Sequence, residues 1–180
     1  MTHSRITHAP RVAFALFACL LATPAAHAAD VVRHPLLNGN TFPIARAVEV
    51  PAGTTLVFHS GMTPAPKDPN APAGTPVYWG DTKTQALSAF ARTKESLDEL
   101  GLGFGDVVKM TVFLVADPAA GDGRMDFKGF MEAYTQFFGT PAQPNLPARS
   151  AVQVAGLAAP GMLVEVEVVL ARPAAKAPKK

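Results

Sequence analysis

The 180-residue chain has one cysteine, Cys19, and it lies in an apolar run near the N-terminus. Downstream of that run there is none. The main body of the chain therefore has no disulfide, no thiolate nucleophile and no cysteine metal site. Charge is scarce as well: 17% of residues are charged, the formal net charge is +2, and the interior holds no basic block. The closing KAPKK suits a solvated terminus better than a nucleic-acid arm. Nothing else supplies a phosphate-binding stripe, so no nucleic-acid partner is expected. Histidines are few and scattered. His3, His8 and His27 lie near the N-terminus, and only His34 and His59 follow. They form no metal-ligand pattern.

The first 28 residues read as a signal peptide. Arg5 and Arg11 give a positive start, residues 12–22 form an eleven-residue apolar run, and Ala26-His27-Ala28 supplies small residues for cleavage before Ala29. Eleven apolar residues are too few to span a bilayer, which takes about 20. The alternative is a buried N-terminal helix. A lipoprotein cysteine at Cys19 is disfavoured by the bulky Phe17 and by the apolar run continuing beyond it. The expectation is export, to a periplasm or beyond, with no membrane partner after cleavage. Cleavage removes two of sixteen basic residues and no acids, leaving fourteen of each.

The whole chain is 48% hydrophobic, and its length and composition suit one domain with its own core. Residues 29–41 show no sustained periodicity and read as an extended arm. Residues 47–50 and 55–60 read as strands joined hairpin-fashion at Pro51-Ala52-Gly53. Residues 63–80 form a long loop with five prolines. It carries Tyr78 and Trp79, which suit either a site rim or subunit contact, or an ordinary anchoring pair. Asp81 or Thr82 caps a helix to about Leu100, with Ala86, Ala89, Phe90, Thr93, Leu97 and Leu100 on one face. Residues 106–115 read as a well-buried strand in which Lys109 is an edge or rim residue rather than a base. Residues 125–138 read as a second helix with a heavy aromatic stripe, packed with the first on one sheet face. The order is β-β-α-β-α-β-β, and a helix joining two strands allows parallel pairing. Residues 173–180 read as a flexible tail.

Residues 145–171, NLPARSAVQVAGLAAPGMLVEVEVVLA, organise the rest. Residues 151–154 and 163–170 read as strands, rich in β-branched residues. Arg149 stands where the chain enters the first of them. Glu165 and Glu167 share one face of the second, because side chains alternate with period two. An arginine at a strand mouth offers a rigid fork that suits a carboxylate bidentately. It equally suits a salt bridge at a subunit contact.

This stretch, with GDVVKMTVFL at 105–114, resembles the RidA (YjgF) family, and the resemblance reaches back to about Phe42. It implies an α+β, chorismate-mutase-like fold: a mixed sheet with two helices on one face, assembled as a homotrimer with sites at subunit interfaces. The domain would span residues 42–172. The resemblance also implies hydrolysis of reactive 2-enamino and 2-imino acids, with Arg149 gripping the carboxylate and Glu165 helping to hold the water. Glu167 could equally be the one facing the site. Ser60-Gly61 matches the family's Ser-Gly, although Ser60 could be a plain turn serine. No cofactor is implied.

Two positions depart from the family's archetypal deaminases. Phe42-Pro43-Ile44 stands where they carry Gly-Pro-Tyr, and Met131 stands at about the position of an asparagine. Both exchanges replace a polar group with an apolar one. Ile44 and Met131 should make the substrate-binding pocket greasier, favouring larger apolar side chains, or leave binding without hydrolysis. The competing function is therefore a non-catalytic exported trimer that binds small carboxylates or shields client proteins. Ribonuclease activity, another activity of relatives, is disfavoured by the near-neutral mature chain.

Overall fold

The computed structural model describes residues 30–172 apart from Gly74 and Ala120. The expected signal peptide and the tail at 173–180 lie outside the described residues. Six strands are present: β1 (Val32–His34), β2 (Ala47–Glu49), β3 (Leu56–Met62), β4 (Val107–Val115), β5 (Ala148–Val154) and β6 (Val164–Ala171). Among the described residues three α-helices accompany them, α1 (Pro76–Trp79), α2 (Thr82–Glu99) and α3 (Phe127–Tyr134), with a short 3-10 turn at Phe104–Asp106. The main sheet has the order β3-β6-β4-β5. β6 is antiparallel to β3 and β4, whereas β5 runs parallel to β4, as the intervening α3 permits.

Both long helices cover one face, as expected. From β4, Met110, Val112 and Leu114 are fully buried; from β6, Val164, Val166 and Leu170 are. They meet Ala86, Phe90 and Leu97 of α2 and Phe130 and Tyr134 of α3 in a single core. α2 starts where the Asp81 carboxylate accepts from the Thr84 amide at 2.8 Å. It ends where Leu102 N–H bonds the Leu97 carbonyl at 2.9 Å beyond Gly101, whose φ of 66° is easy only for glycine.

Several expectations need correction, among them the loop at 63–80, which holds α1. The arm contains β1, which pairs with β2 through Arg33↔Val48 and its neighbours. The turn at Pro51–Gly53 exists, with Thr54 N–H on the Pro51 carbonyl at 3.2 Å. Its flanking strands nevertheless join different sheets, so the expected hairpin does not form. Arg33 supplies the reason: its guanidinium donates to the carbonyls of Gly105, Val107 and Leu146 at 2.8–2.9 Å and pins β1 where β2 can reach it. Finally, α3 stops at Tyr134 rather than about Phe138. A turn carries Phe137 and Phe138 onward, and Phe138 remains buried against the Tyr134 ring, stacked at 4.9 Å.

No helix among the described residues covers the other sheet face. It presents Leu56 and Phe58 of β3, and Val152 of β5, which are 42%, 77% and 43% exposed. Lys109 also lies here, and β4 is an inner strand. It is therefore not an edge residue; its ammonium donates to the Ser150 hydroxyl at 3.1 Å.

Candidate functional site

Arg149 lies inside β5, not merely at its entrance, because β5 begins at Ala148. Its register partner on β4 is Met110, which is fully buried under the helices. The Arg149 side chain therefore leaves the sheet on the helix side. There its Cζ is 4.2 Å from the Tyr134 ring centroid, 5.4 Å from Phe130, 5.5 Å from Phe42 and 5.8 Å from Phe127. Nη2 donates to the Met131 sulfur at 3.2 Å, a weak acceptor. Nη1 is buried with no hydrogen-bond partner among the described residues. None of the ion pairs among the described residues involves Arg149.

The balance of effects at this group is informative. A cation over an aromatic face gains ~0.5–2 kcal/mol. An unsatisfied buried donor costs ~1–3 kcal/mol. The rings hold the guanidinium in position, while Nη1 keeps its full bonding capacity. Burial lowers the Arg149 pKa from its ordinary value, opposed by the Tyr134 phenol. The same burial pushes the Tyr134 phenol up to about 12, despite the neighbouring guanidinium. Tyr134 is thus a neutral donor, and its hydroxyl bonds the Pro43 carbonyl at 2.8 Å. That bond fixes the segment carrying Phe42 and Ile44.

Glu165 stands elsewhere. Its register partner on β4 is Phe113, three residues beyond Met110, so its side chain leaves by the uncovered face. Glu167, paired with Thr111, shares that face and is more exposed. The two glutamates differ in surroundings. The carboxylate of Glu165 lies over Gly61, where an added Cβ would overlap Oε1 and stand 2.8 Å from Cδ. Ser60 and Gly61 sit within β3, not after it, at an irregularity between the pairs His59↔Val168 and Met62↔Val166. The bulge offsets β3 by one residue and leaves a glycine beneath Glu165.

The expected site residues thus fall into two groups. Arg149 and Met131 meet on the helix side; Gly61 and Glu165 meet on the uncovered face, with Ser60 beside Gly61. Ile44 lies near the first group, where the following Ala45 bridges Ala148. Tyr78 and Trp79 act as an anchor: their rings meet edge-on at 4.5 Å, and the buried Trp79 donates to the Pro160 carbonyl at 2.8 Å.

Sequence reasoning missed Phe42, Phe127, Phe130 and Tyr134 as the walls around Arg149. The helical stripe marked three of them, but as core alone. It missed Arg33 altogether, for which no local signal exists. Among the described residues, no three His, Cys, Asp or Glu side chains cluster as metal ligands.

A family model described as "Endoribonuclease L-PSP" matches residues 39–172. The chain is 35% identical over 121 residues to an Escherichia coli (strain K12) protein named "Putative reactive intermediate deaminase TdcF", covering 67% of this chain and 81% of that protein. It is 34% identical over 128 residues to Protein DfrA of Myxococcus xanthus, covering 71% and 83%. The crystal structure of E. coli TdcF with bound serine is similar at a TM-score of 0.51 and 32% identity, over 78% of this chain and 94% of that one.

Proposed function

Because this chain belongs to the RidA (YjgF) family, we propose that it hydrolyses reactive 2-enamino and 2-imino acids to 2-keto acids and ammonia. The observation that carries the reading is the free, buried Nη1 of Arg149, in an aromatic box with no acid beside it. Such a group awaits an anion, and the guanidinium fork suits a carboxylate. The name of the TdcF relative, and the serine bound in its crystal structure, support a ligand with a carboxylate next to a nitrogen-bearing carbon.

With the carboxylate on Arg149, C2 of the imine is held for attack. Glu165 positions a water and accepts its proton. The water oxygen bonds C2, and the C=N pair moves to nitrogen, which takes up a proton. The nitrogen then takes the proton that Glu165 accepted from the water, the C2–N bond breaks as ammonia leaves, and the C2 hydroxyl returns its proton to Glu165 to give the 2-keto acid. One water is consumed and one ammonia released, with no covalent enzyme intermediate.

Arg149 and Glu165 leave opposite faces of one sheet, so one copy of the chain does not supply both to a single ligand. A homotrimer with each site between two subunits answers this, and the uncovered Leu56, Phe58 and Val152 support such an assembly. The reading also sets the mature chain outside the cytoplasm, on the strength of the signal-peptide pattern in residues 1–28.

A second reading, an exported trimer that binds carboxylates or shields client proteins without catalysis, draws support from Met131 and the rings. None of them transfers a proton readily at neutral pH. The test is purified 29–180 with 2-imino acids generated in situ by an amino-acid oxidase. Acceleration of imine loss, falling at least ~100-fold in Arg149→Ala, is expected for the deaminase. No acceleration by folded wild-type protein with any imine would contradict it and favour binding alone.

A further inference from the structure

Arg149 Nη2 spends its hydrogen bond on the thioether sulfur of Met131, 3.2 Å away, while the buried Nη1 has no partner among the described residues. A strongly donating guanidinium thus faces one of the weakest acceptors a protein offers. Met131 sits on α3, half-buried and packed against the core. The aromatic box around the pair is not sealed. One of its walls, Phe42, is 38% exposed and lies 5.5 Å from Arg149 Cζ, so a small oxidant has a way in. Met110, the register partner of Arg149, is fully buried and has no such access.

Peroxides convert a thioether to a sulfoxide. Sulfur attacks one oxygen of hydrogen peroxide: the S–O bond forms and the O–O bond breaks. The departing hydroxide takes the proton left on the transferred oxygen and becomes water. Sulfur loses two electrons, and the peroxide gains them. In a core this change ordinarily costs stability, because a polar oxygen arises among apolar side chains. Here the oxygen arises beside an orphaned donor, and the guanidinium donates to it.

We propose that Met131 is a peroxide-sensitive oxidation site, whose sulfoxide oxygen accepts from the Arg149 fork and closes it to a ligand carboxylate. The closing rests on the carboxylate-gripping role of Arg149 proposed above; the oxidation itself does not. The oxidant comes from chemistry close to the substrate. Oxidation of an amino acid by dioxygen gives the 2-imino acid and hydrogen peroxide in equal amounts, so a source of one delivers the other. Peroxide that accumulates beside the imine then shuts the site that consumes the imine.

The test treats the purified protein with graded hydrogen peroxide, which catalase then removes. Peptide mass maps the oxygen gained at the half-buried Met62, Met125, Met131 and Met162, and calorimetry measures pyruvate binding. Pyruvate affinity should fall at least ~tenfold in step with the oxygen at Met131. Met131→Leu, whatever its own affinity, should bind pyruvate equally before and after treatment. Met131→Gln sets an amide oxygen at that position and should bind as weakly as the oxidised protein, which decides the matter should Met131→Leu fail to fold. Affinity that follows Met62, Met125 or Met162 instead, or that is unchanged once Met131 is oxidised, would overturn the proposal. So would a Met131 left intact after Met125 and Met162 have reacted. Oxidation of Met131 in a protein that binds no keto acid even untreated would uphold the oxidation site and sink the carboxylate role of Arg149.

Discussion

Arg149 and Glu165 project from opposite faces of the same sheet, and their register fixes this. Arg149 pairs with Met110 and Glu165 with Phe113 on the shared strand β4, an odd number of residues apart. Side-chain direction alternates with period two, so an odd separation means opposite faces. The separation is built into the hydrogen-bond ladders on either side of β4 and is not open to rotamer adjustment. A reaction that uses both groups must draw them from two copies.

Gly61 should matter more for activity than for folding. A methyl group there collides with the end of the Glu165 side chain, a flexible neighbour that can swing away without disturbing backbone. Gly61→Ala should therefore lower kcat for imine hydrolysis by ~10–100-fold, as expected of a misplaced catalytic group. Its melting temperature should stay within a few degrees of wild type. A matching loss of stability would show that the glycine serves the β3 bulge rather than Glu165.

Arg149 should be a stability liability. Its buried Nη1 lacks a partner among the described residues, and burial disfavours its charge. Arg149→Met removes the uncompensated charge and keeps an apolar side chain among the rings. Thermal unfolding should show a melting temperature unchanged or raised, while binding of 2-keto acids is lost. A destabilisation above ~2 kcal/mol would mean that the stacking on Tyr134 and Phe130 outweighs the desolvation.

Tyr134 predicts a specific alkaline weakness. Its phenol is pushed up to about 12 in the folded protein, mainly by burial, against an ordinary value of 10.0. The unfolded chain thus releases this proton first as pH rises. The stability associated with the neutral phenol is intact below about pH 10 and is lost as pH climbs towards about 12, by roughly 2–3 kcal/mol. Denaturant unfolding between pH 9 and pH 12 measures the loss. Tyr134→Phe should flatten the slope, although it starts from lower stability because the bond to the Pro43 carbonyl is gone. An unchanged slope in that variant would assign the alkaline loss to other groups.

Much of this architecture was legible in the sequence because its signals were local and long. The 18 residues of α2 carry helical spacing and an aspartate cap, and β4 and β6 carry sustained β-branched runs. The parallel pairing of β5 with β4 follows from the helix between them. β1 and β2 were harder: strands of three residues are too short for alternation to register. Their pairing depends on Arg33 reaching carbonyls more than 70 residues away.

The site divides in the same way. Arg149, Glu165, Gly61 and Met131 were each identifiable as residues, and the period of two put Glu165 and Glu167 on one face. The grouping was not visible, because it depends on inter-strand register. A shift of one residue would have turned Arg149 towards Glu165. The aromatic stripe of α3 was read as core because helical spacing does not reveal that a cation sits among the rings. Lys109 looked peripheral because a charged residue in an otherwise buried run suits a rim, and its Ser150 partner on β5 is visible only in the inter-strand register.

The most direct test of a site shared between copies is subunit complementation. Arg149→Ala and Glu165→Gln chains are purified separately, mixed at equal amounts, unfolded and reassembled together. Each variant alone should be nearly inactive in imine hydrolysis. In mixed trimers, sites that combine Arg149 of one chain with Glu165 of another should return about a quarter of wild-type activity. A mixture no more active than its parts, although wild type treated identically recovers, would contradict a site built from both faces of the sheet.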